Sequence, residues 1–187
     1  EDDPATARPA EIRRILFLGN SITRHGPKPD IDWHGDWGMA ATSAERDYVH
    51  LVVAAITGRT GKPPEILVRN IADFERAYDA YDVEAKLKDA FAFDADLVVL
   101  AIGENVPAFK SDAEADRFEA GVARILAGVR AHRRPLIIIR SGFWPEQTRD
   151  ARLRKVSDAA GARFVDISAL GRDPSNAARS ERPYKHA

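Results

Sequence analysis

The chain has no cysteine and a single methionine, Met39. Without thiolates, and with no two of its five histidines at metal-ligand spacing, it offers no ligand set for a metal ion, so neither metal nor cofactor is expected. Missing cysteine fits either an oxidising or a reducing compartment. Long apolar runs are also absent: none approaches the roughly 18 consecutive residues of a membrane span, and the longest are the length of a strand. Nor does one sign of charge dominate. Lys plus Arg number 28 against 29 Asp plus Glu, so there is no overall field to hold nucleic acid or an anionic membrane. The basic stretch Arg130 to Arg134, which includes His132, is local and ends a helix, where positive charge complements the dipole. The first residues, Glu1-Asp2-Asp3-Pro4, lack an initiator methionine. A polar leader of this kind resembles the mature end of an exported protein, and a trimmed chain looks the same. A periplasmic or secreted location is the expectation, with the cytoplasm as the alternative.

What the sequence does contain is an alternation of apolar runs and amphipathic stretches, the pattern of a parallel sheet covered by helices. Its 187 residues suit one domain burying about 70% of its unfolded surface. Strands are predicted near Arg14 to Leu18, Glu65 to Asn70, Ala95 to Ile102, Pro135 to Arg140 and Ala162 to Ile167. Helices are predicted over Ser43 to Gly58, Val83 to Phe91, Asp112 to Ala131 and Glu146 to Ala160, with Ser111 as a cap and Gly161 as a stop. The fold class is therefore α/β: a single three-layer α/β/α domain with a five-stranded parallel sheet. We read residues 1–11 as a polar leader, 12–170 as the domain and 171–187 as a polar arm.

The most informative stretch is Ile15 to Thr23, where a buried-strand signal runs into the small-residue turn Gly19-Asn20-Ser21. In open parallel sheets ligands sit outside the carboxyl ends of the strands, so Ser21 faces such a crevice. An ordinary turn is the competing reading, because Gly, Asn and Ser are common turn formers. The serine is not alone, however. Gly38, in Gly35-Asp36-Trp37-Gly38-Met39, and Gly103-Glu104-Asn105, after the predicted third strand, are groups of the kind acyl transfer requires.

Together these motifs resemble the SGNH (GDSL-like) hydrolase family, whose flavodoxin-like fold agrees with the pattern above. The resemblance implies that Ser21 is the nucleophile, and that the backbone N–H of Gly38 and the side-chain amide of Asn105 join the Ser21 N–H as oxyanion donors. Glycine leaves the backbone open to close approach, and asparagine supplies a neutral donor where glutamate would fail. Val106 stands where the family usually has aspartate. The Gly-x-Ser-x-Gly elbow of other serine hydrolases does not fit, since position 23 is Thr23.

The family's remaining element is a His, with an Asp three residues before it, after the fifth strand. Beyond Ile167 the only histidine is His186, and Pro183 stands three before it. The base is therefore expected beyond Ala187, with His186 as a lesser candidate. His25 lies four residues past Ser21 and His34 four before Gly38, a spacing expected to bring both to the crevice. His50, on a helical pattern, reads as a packing residue.

Trp33 and Trp37 flank His34, and Phe143-Trp144 follows the fourth strand at the same sheet edge. Indole faces stack on sugars and also pack in loops. Because Asp30, Asp32, Asp36, Glu146 and Arg149 surround them, a hydroxylated ligand suits these loops better than an acyl chain. Trp37, His34 and Trp144 are the candidate substrate-binding residues. The function implied is removal of O-acetyl or other short acyl groups from a carbohydrate, through an acyl-enzyme on Ser21. Two alternatives stay open: a non-catalytic carbohydrate-binding relative, and a flavodoxin-like module holding a phosphate at the Gly19-Asn20-Ser21 turn.

Overall fold

A computed structural model of the chain describes residues 12–39, 41–131 and 133–176. The leader over 1–11, His132, His186 and all but the start of the 171–187 arm lie outside the described residues.

Five strands form one parallel sheet in the order β2-β1-β3-β4-β5: β1 (Arg14–Gly19), β2 (Glu65–Asn70), β3 (Leu97–Ala101), β4 (Leu136–Arg140) and β5 (Arg163–Val165). All five match the expected positions to within a few residues. The register brings the carboxyl ends of β2, β1 and β3 level, with Gly19 opposite Asn70 on one side and Ala101 on the other. Because successive strand residues point to opposite faces, β1 serves two cores. Leu16 and Leu18 join Val98, Leu100, Ile137 and Ile139 on one face. Ile15 and Phe17 join Leu97 and Val99 on the other.

The helices divide unequally between the faces. α1 (Tyr48–Thr60) covers the smaller core through Tyr48, Val49, Val52, Val53 and Ile56. The larger core takes α2 (Ala72–Arg76), α3 (Val83–Lys86), α4 (Lys88–Ala92), α5 (Asp112–Arg130) and α6 (Gln147–Ala159). α5 shows why the sequence folds this way. Ser111 caps it by accepting the Glu114 N–H at 3.3 Å, and Ala115, Phe118, Val122, Ile125 and Val129 form one buried stripe.

Three differences from the sequence reading have local causes. The expected helix over 43–58 begins at Tyr48, because Asp47 is extended and caps it, leaving a single 3₁₀ turn at Ala44–Arg46. The 83–91 helix is broken in two at Leu87. Neither α2 nor α7 (Ser168–Arg172) was expected; α7 and the 3₁₀ turn Pro174–Asn176 span the boundary drawn at 170.

Candidate active site

Ser21 sits directly beyond β1, in a turn built by Asn20. The Asn20 carbonyl accepts the Thr23 and Arg24 N–H groups, both at 3.0 Å, and its side-chain Oδ1 accepts the Ile22 N–H at 3.0 Å. This is the local bonding that makes asparagine a turn former. Ser21 is half-buried, its carbonyl accepts the Met39 N–H at 2.9 Å, and among the described residues no side chain hydrogen-bonds its hydroxyl. Beneath the turn, the Thr23 and Tyr48 hydroxyls meet at 2.8 Å. Burial pushes the Tyr48 phenol up to about 12, although the Thr23 hydrogen bond acts the other way.

A long loop returns from this turn to α1. His25 bridges Trp37 and Lys28 bridges Trp33 in short antiparallel contacts, and Trp33 is 0% exposed, donating its indole N–H to the His25 carbonyl at 2.9 Å. Trp33 is thus the loop's own core. Trp37 packs edge-on against it at 5.3 Å and donates to the Ala41 carbonyl. His34 is solvent-exposed beside Asp32, and the ring of His25 contacts the neighbouring Gly26 carbonyl at 2.6 Å.

Gly38 lies against the Ser21 turn so closely that a Cβ would collide with the Ile22 carbonyl, so the backbone approach needs glycine. Its N–H does not face an open hole, however. It is donated to Asp47 Oδ2 at 3.1 Å, while Asp47 Oδ1 accepts the His50 N–H at 2.8 Å and contacts His50 Nδ1 at 2.7 Å. Asp47 and His50 have the Asp-x-x-His spacing, but their bonding is that of a helix cap. His50 is exposed, on a different side of α1 from the sheet-facing Tyr48 and Val49, and no hydrogen bond joins it to Ser21.

Asn105 stands at the end of neighbouring β3, on the same carboxyl edge of the sheet as Ser21. Gly103 precedes it with φ +135°, a region that favours glycine, and a Cβ there would lie 2.9 Å from Arg149 Nε. The Asn105 amide is fixed from both ends: Nδ2 donates to Glu75 Oε2 at 2.6 Å and Oδ1 accepts from Arg76 Nη2 at 3.3 Å. An amide nitrogen carries two hydrogens, so one has no acceptor among the described residues. Val106 packs against the larger core instead of entering the crevice.

Two buried carboxylates bind the motifs together. Glu75, from α2, is 0% exposed; its Oε1 accepts the Gly103 N–H and Asn20 Nδ2, the latter at 3.1 Å. Glu104 accepts Asn20 Nδ2 at 2.6 Å, Arg140 Nη1 at 2.6 Å and the Phe143 N–H at 2.8 Å. Burial raises the Glu104 pKa, but the Arg140 charge and hydrogen bonds, with those of Phe143 and Asn20, outweigh it and hold the carboxyl below the ordinary glutamate range. Buried Arg149 completes the edge by donating to the carbonyls of Gly103, at 2.9 Å, and Trp144, at 2.7 Å. Trp144 itself is 60% exposed, edge-on to Phe143 at 5.3 Å. Beside it, at the ends of β4 and β5, lies a cavity of about 420 Å³ lined by Gln147, Asp150, Arg154, Asp166 and Arg172 among others. Among the described residues no group of three or more His, Asp or Glu side chains is arranged to hold a metal ion, and no helix is long and apolar enough to cross a membrane.

Sequence reasoning singled out Ser21, Gly38, Asn105 and Trp144, and named Arg149 as a polar neighbour of the tryptophans, but did not point to Glu75, Asp47 or Arg140. The first two are single acids on short or irregular segments, which carry no periodic signal.

Comparison with solved structures places the fold. The chain is similar to a protein described as a GDSL-like lipase from Parabacteroides merdae, with a TM-score of 0.51 and 17% identity over 81% of this chain and 76% of the other. A family two carbohydrate esterase from Cellvibrio japonicus matches 82% of this chain and 51% of its own length, at 16% identity and a TM-score of 0.44. No protein-family model and no curated protein sequence matches. The fold is that of SGNH-type, flavodoxin-like α/β proteins.

Proposed function

We propose that the protein is a serine ester hydrolase that removes O-acetyl or other short acyl groups from a carbohydrate. The observation that carries this reading is that Asn20, next to Ser21, and Asn105 both donate to Glu75 at the carboxyl ends of adjacent strands β1 and β3. Ser21 Oγ attacks the ester carbonyl, and the charge that develops on the carbonyl oxygen is met by the free Asn105 N–H and the Ser21 N–H. The sugar alcohol leaves with a proton, and water then releases the acyl group from Ser21. The proposal assigns the proton acceptor to a histidine outside the described residues, since a serine hydroxyl is a weak nucleophile without one. Exposed Trp144, whose backbone is held by Arg149 and whose neighbour Phe143 is held by Glu104, offers a fixed indole face to a sugar ring.

A second reading, carbohydrate binding without hydrolysis, is favoured by one fact: the Gly38 N–H is already committed to Asp47. Phosphate binding at the turn is disfavoured, because Glu75 and Glu104 lie against Asn20 and would repel the anion. The test is hydrolysis of an activated acetyl ester and an acetylated sugar by the intact gene product. Ser21→Ala should lower turnover on the order of 10⁶-fold, the scale for removing a serine nucleophile, with the fold unchanged. Equal turnover in both proteins would remove the nucleophile assignment, and sugar binding without turnover in either would establish the second reading.

A further inference from the structure

We propose that Glu75 is a positioning residue for the active site: its buried carboxylate fixes the Asn105 amide and sets the distance between that amide and the Ser21 turn. The inference rests on the reading of Ser21 and Asn105 given above.

A carboxylate with no access to water is costly unless several donors hold it. Among the described residues, no Lys or Arg forms an ion pair with Glu75. Its partners are three N–H groups: Asn20 Nδ2 from the Ser21 turn, and the Gly103 backbone and Asn105 Nδ2 from the loop after β3. The two oxygens divide the work. Oε1 ties the serine turn to the Gly103 backbone, and Oε2 holds Asn105. What the carboxylate adds is geometry.

That geometry leaves Asn105 one orientation. With Nδ2 directed at a carboxylate and Oδ1 accepting from the Arg76 guanidinium, a flipped amide would set oxygen against oxygen and donor against donor. The second Nδ2 hydrogen then has a fixed direction before substrate arrives, which is the preorganisation an oxyanion donor requires. Glutamine at 75 cannot reproduce it. Its amide has one acceptor oxygen where the three donors use two, so at least one donor faces an NH₂ group.

The experiment is a double-mutant cycle on the intact gene product, with acetyl-ester turnover as the readout. Asn105→Ala should cost about 10²- to 10³-fold in kcat. Glu75→Gln should cost about 10²-fold, the scale of a misplaced catalytic group, with KM within about threefold of wild type. If Glu75 acts through Asn105, the double variant should be no slower than Asn105→Ala alone. Losses that multiply, or a Glu75→Gln enzyme with kcat within about threefold of wild type, would overturn the proposal. Should Glu75→Gln fail to fold, Glu75→Asp keeps the charge, withdraws it by one methylene and should give the same pattern. Isotope-labelled NMR of the Asn105 side-chain amide supplies a readout independent of turnover: its two proton signals should shift in either Glu75 variant. Unchanged signals would overturn the positioning role. Shifted signals in a protein whose hydrolysis does not depend on Ser21 would uphold it and reject the nucleophile instead.

Discussion

Two corners of the site are built alike and end differently. At one, the Gly38 backbone N–H is held by the Asp47 carboxylate; at the other, the Asn105 amide is held by Glu75. Both carboxylates are buried and both donors lie beside the Ser21 turn. A backbone N–H has one hydrogen, however, and a side-chain amide has two. The same arrangement therefore uses up Gly38 and leaves Asn105 both oriented and available. A buried acid beside a donor can occupy it or aim it, and the hydrogen count decides which.

The difference is open to direct attack. Asn105→Ala should lower kcat by about 10²- to 10³-fold and, by removing one of the three donors that hold buried Glu75, should also cost about 1–3 kcal/mol of stability. Asp47→Ala should cost stability alone. Losing a helix cap and leaving the Gly38 N–H without its partner should cost about 2 kcal/mol in chemical denaturation, with kcat within about threefold of wild type. If Asp47→Ala instead lowered turnover as far as Asn105→Ala, the Gly38 corner would have to be counted as part of the chemistry. Conversely, a rise in kcat for Asp47→Ala would show that releasing the Gly38 N–H adds a donor.

Smaller effects sharpen the comparison further from the reacting atoms. Trp144→Ala should raise KM for an acetylated sugar about tenfold, equivalent to roughly 1.4 kcal/mol, without altering stability, because the side chain is largely exposed. An unchanged KM would mean the indole does not meet the substrate. Acid should act through the Glu104 side of the network. The folded-state pKa of Glu104 lies below its ordinary value, so its ion pair with Arg140 contributes fully above the unfolded pKa of about 4.3. That contribution is lost as pH falls below this value towards the folded pKa. Glu104→Gln should therefore reduce the pH dependence of denaturation midpoints in this window; an unaltered profile would show the pair to be energetically idle.

How much of this was legible in the sequence follows from the physics of each signal. The strands announced themselves as apolar runs, because β1 and β3 are buried on both faces. α5 showed its cap and its stripe. α2 is five residues long, shorter than the window any helical period needs, and Glu75 within it looks like a solvent-facing charge next to Arg76. Gly38 was found as a close-approach glycine, which it is; where its N–H points depends on Asp47, and no spacing rule gives that. Among the aromatics, sequence brought Trp33, Trp37 and Trp144 to one edge but could not sort them by exposure. The hairpin-like loop closes over Trp33, and only Trp144 is left mostly in solvent.

Asn20 has a consequence for how the site comes into being. Its one amide nitrogen bonds an acid 55 residues further on and another 84 residues further on. Contacts so remote in sequence close large loops, and the entropy of that closure must be met before the bonds reward it. The turn around Ser21 can form locally, from Asn20's own carbonyl and Oδ1, as soon as β1 is made. Its anchorage waits for α2 and the loop after β3 to arrive, so the candidate site is expected to assemble late and to loosen early, while the apolar sheet beneath it still holds.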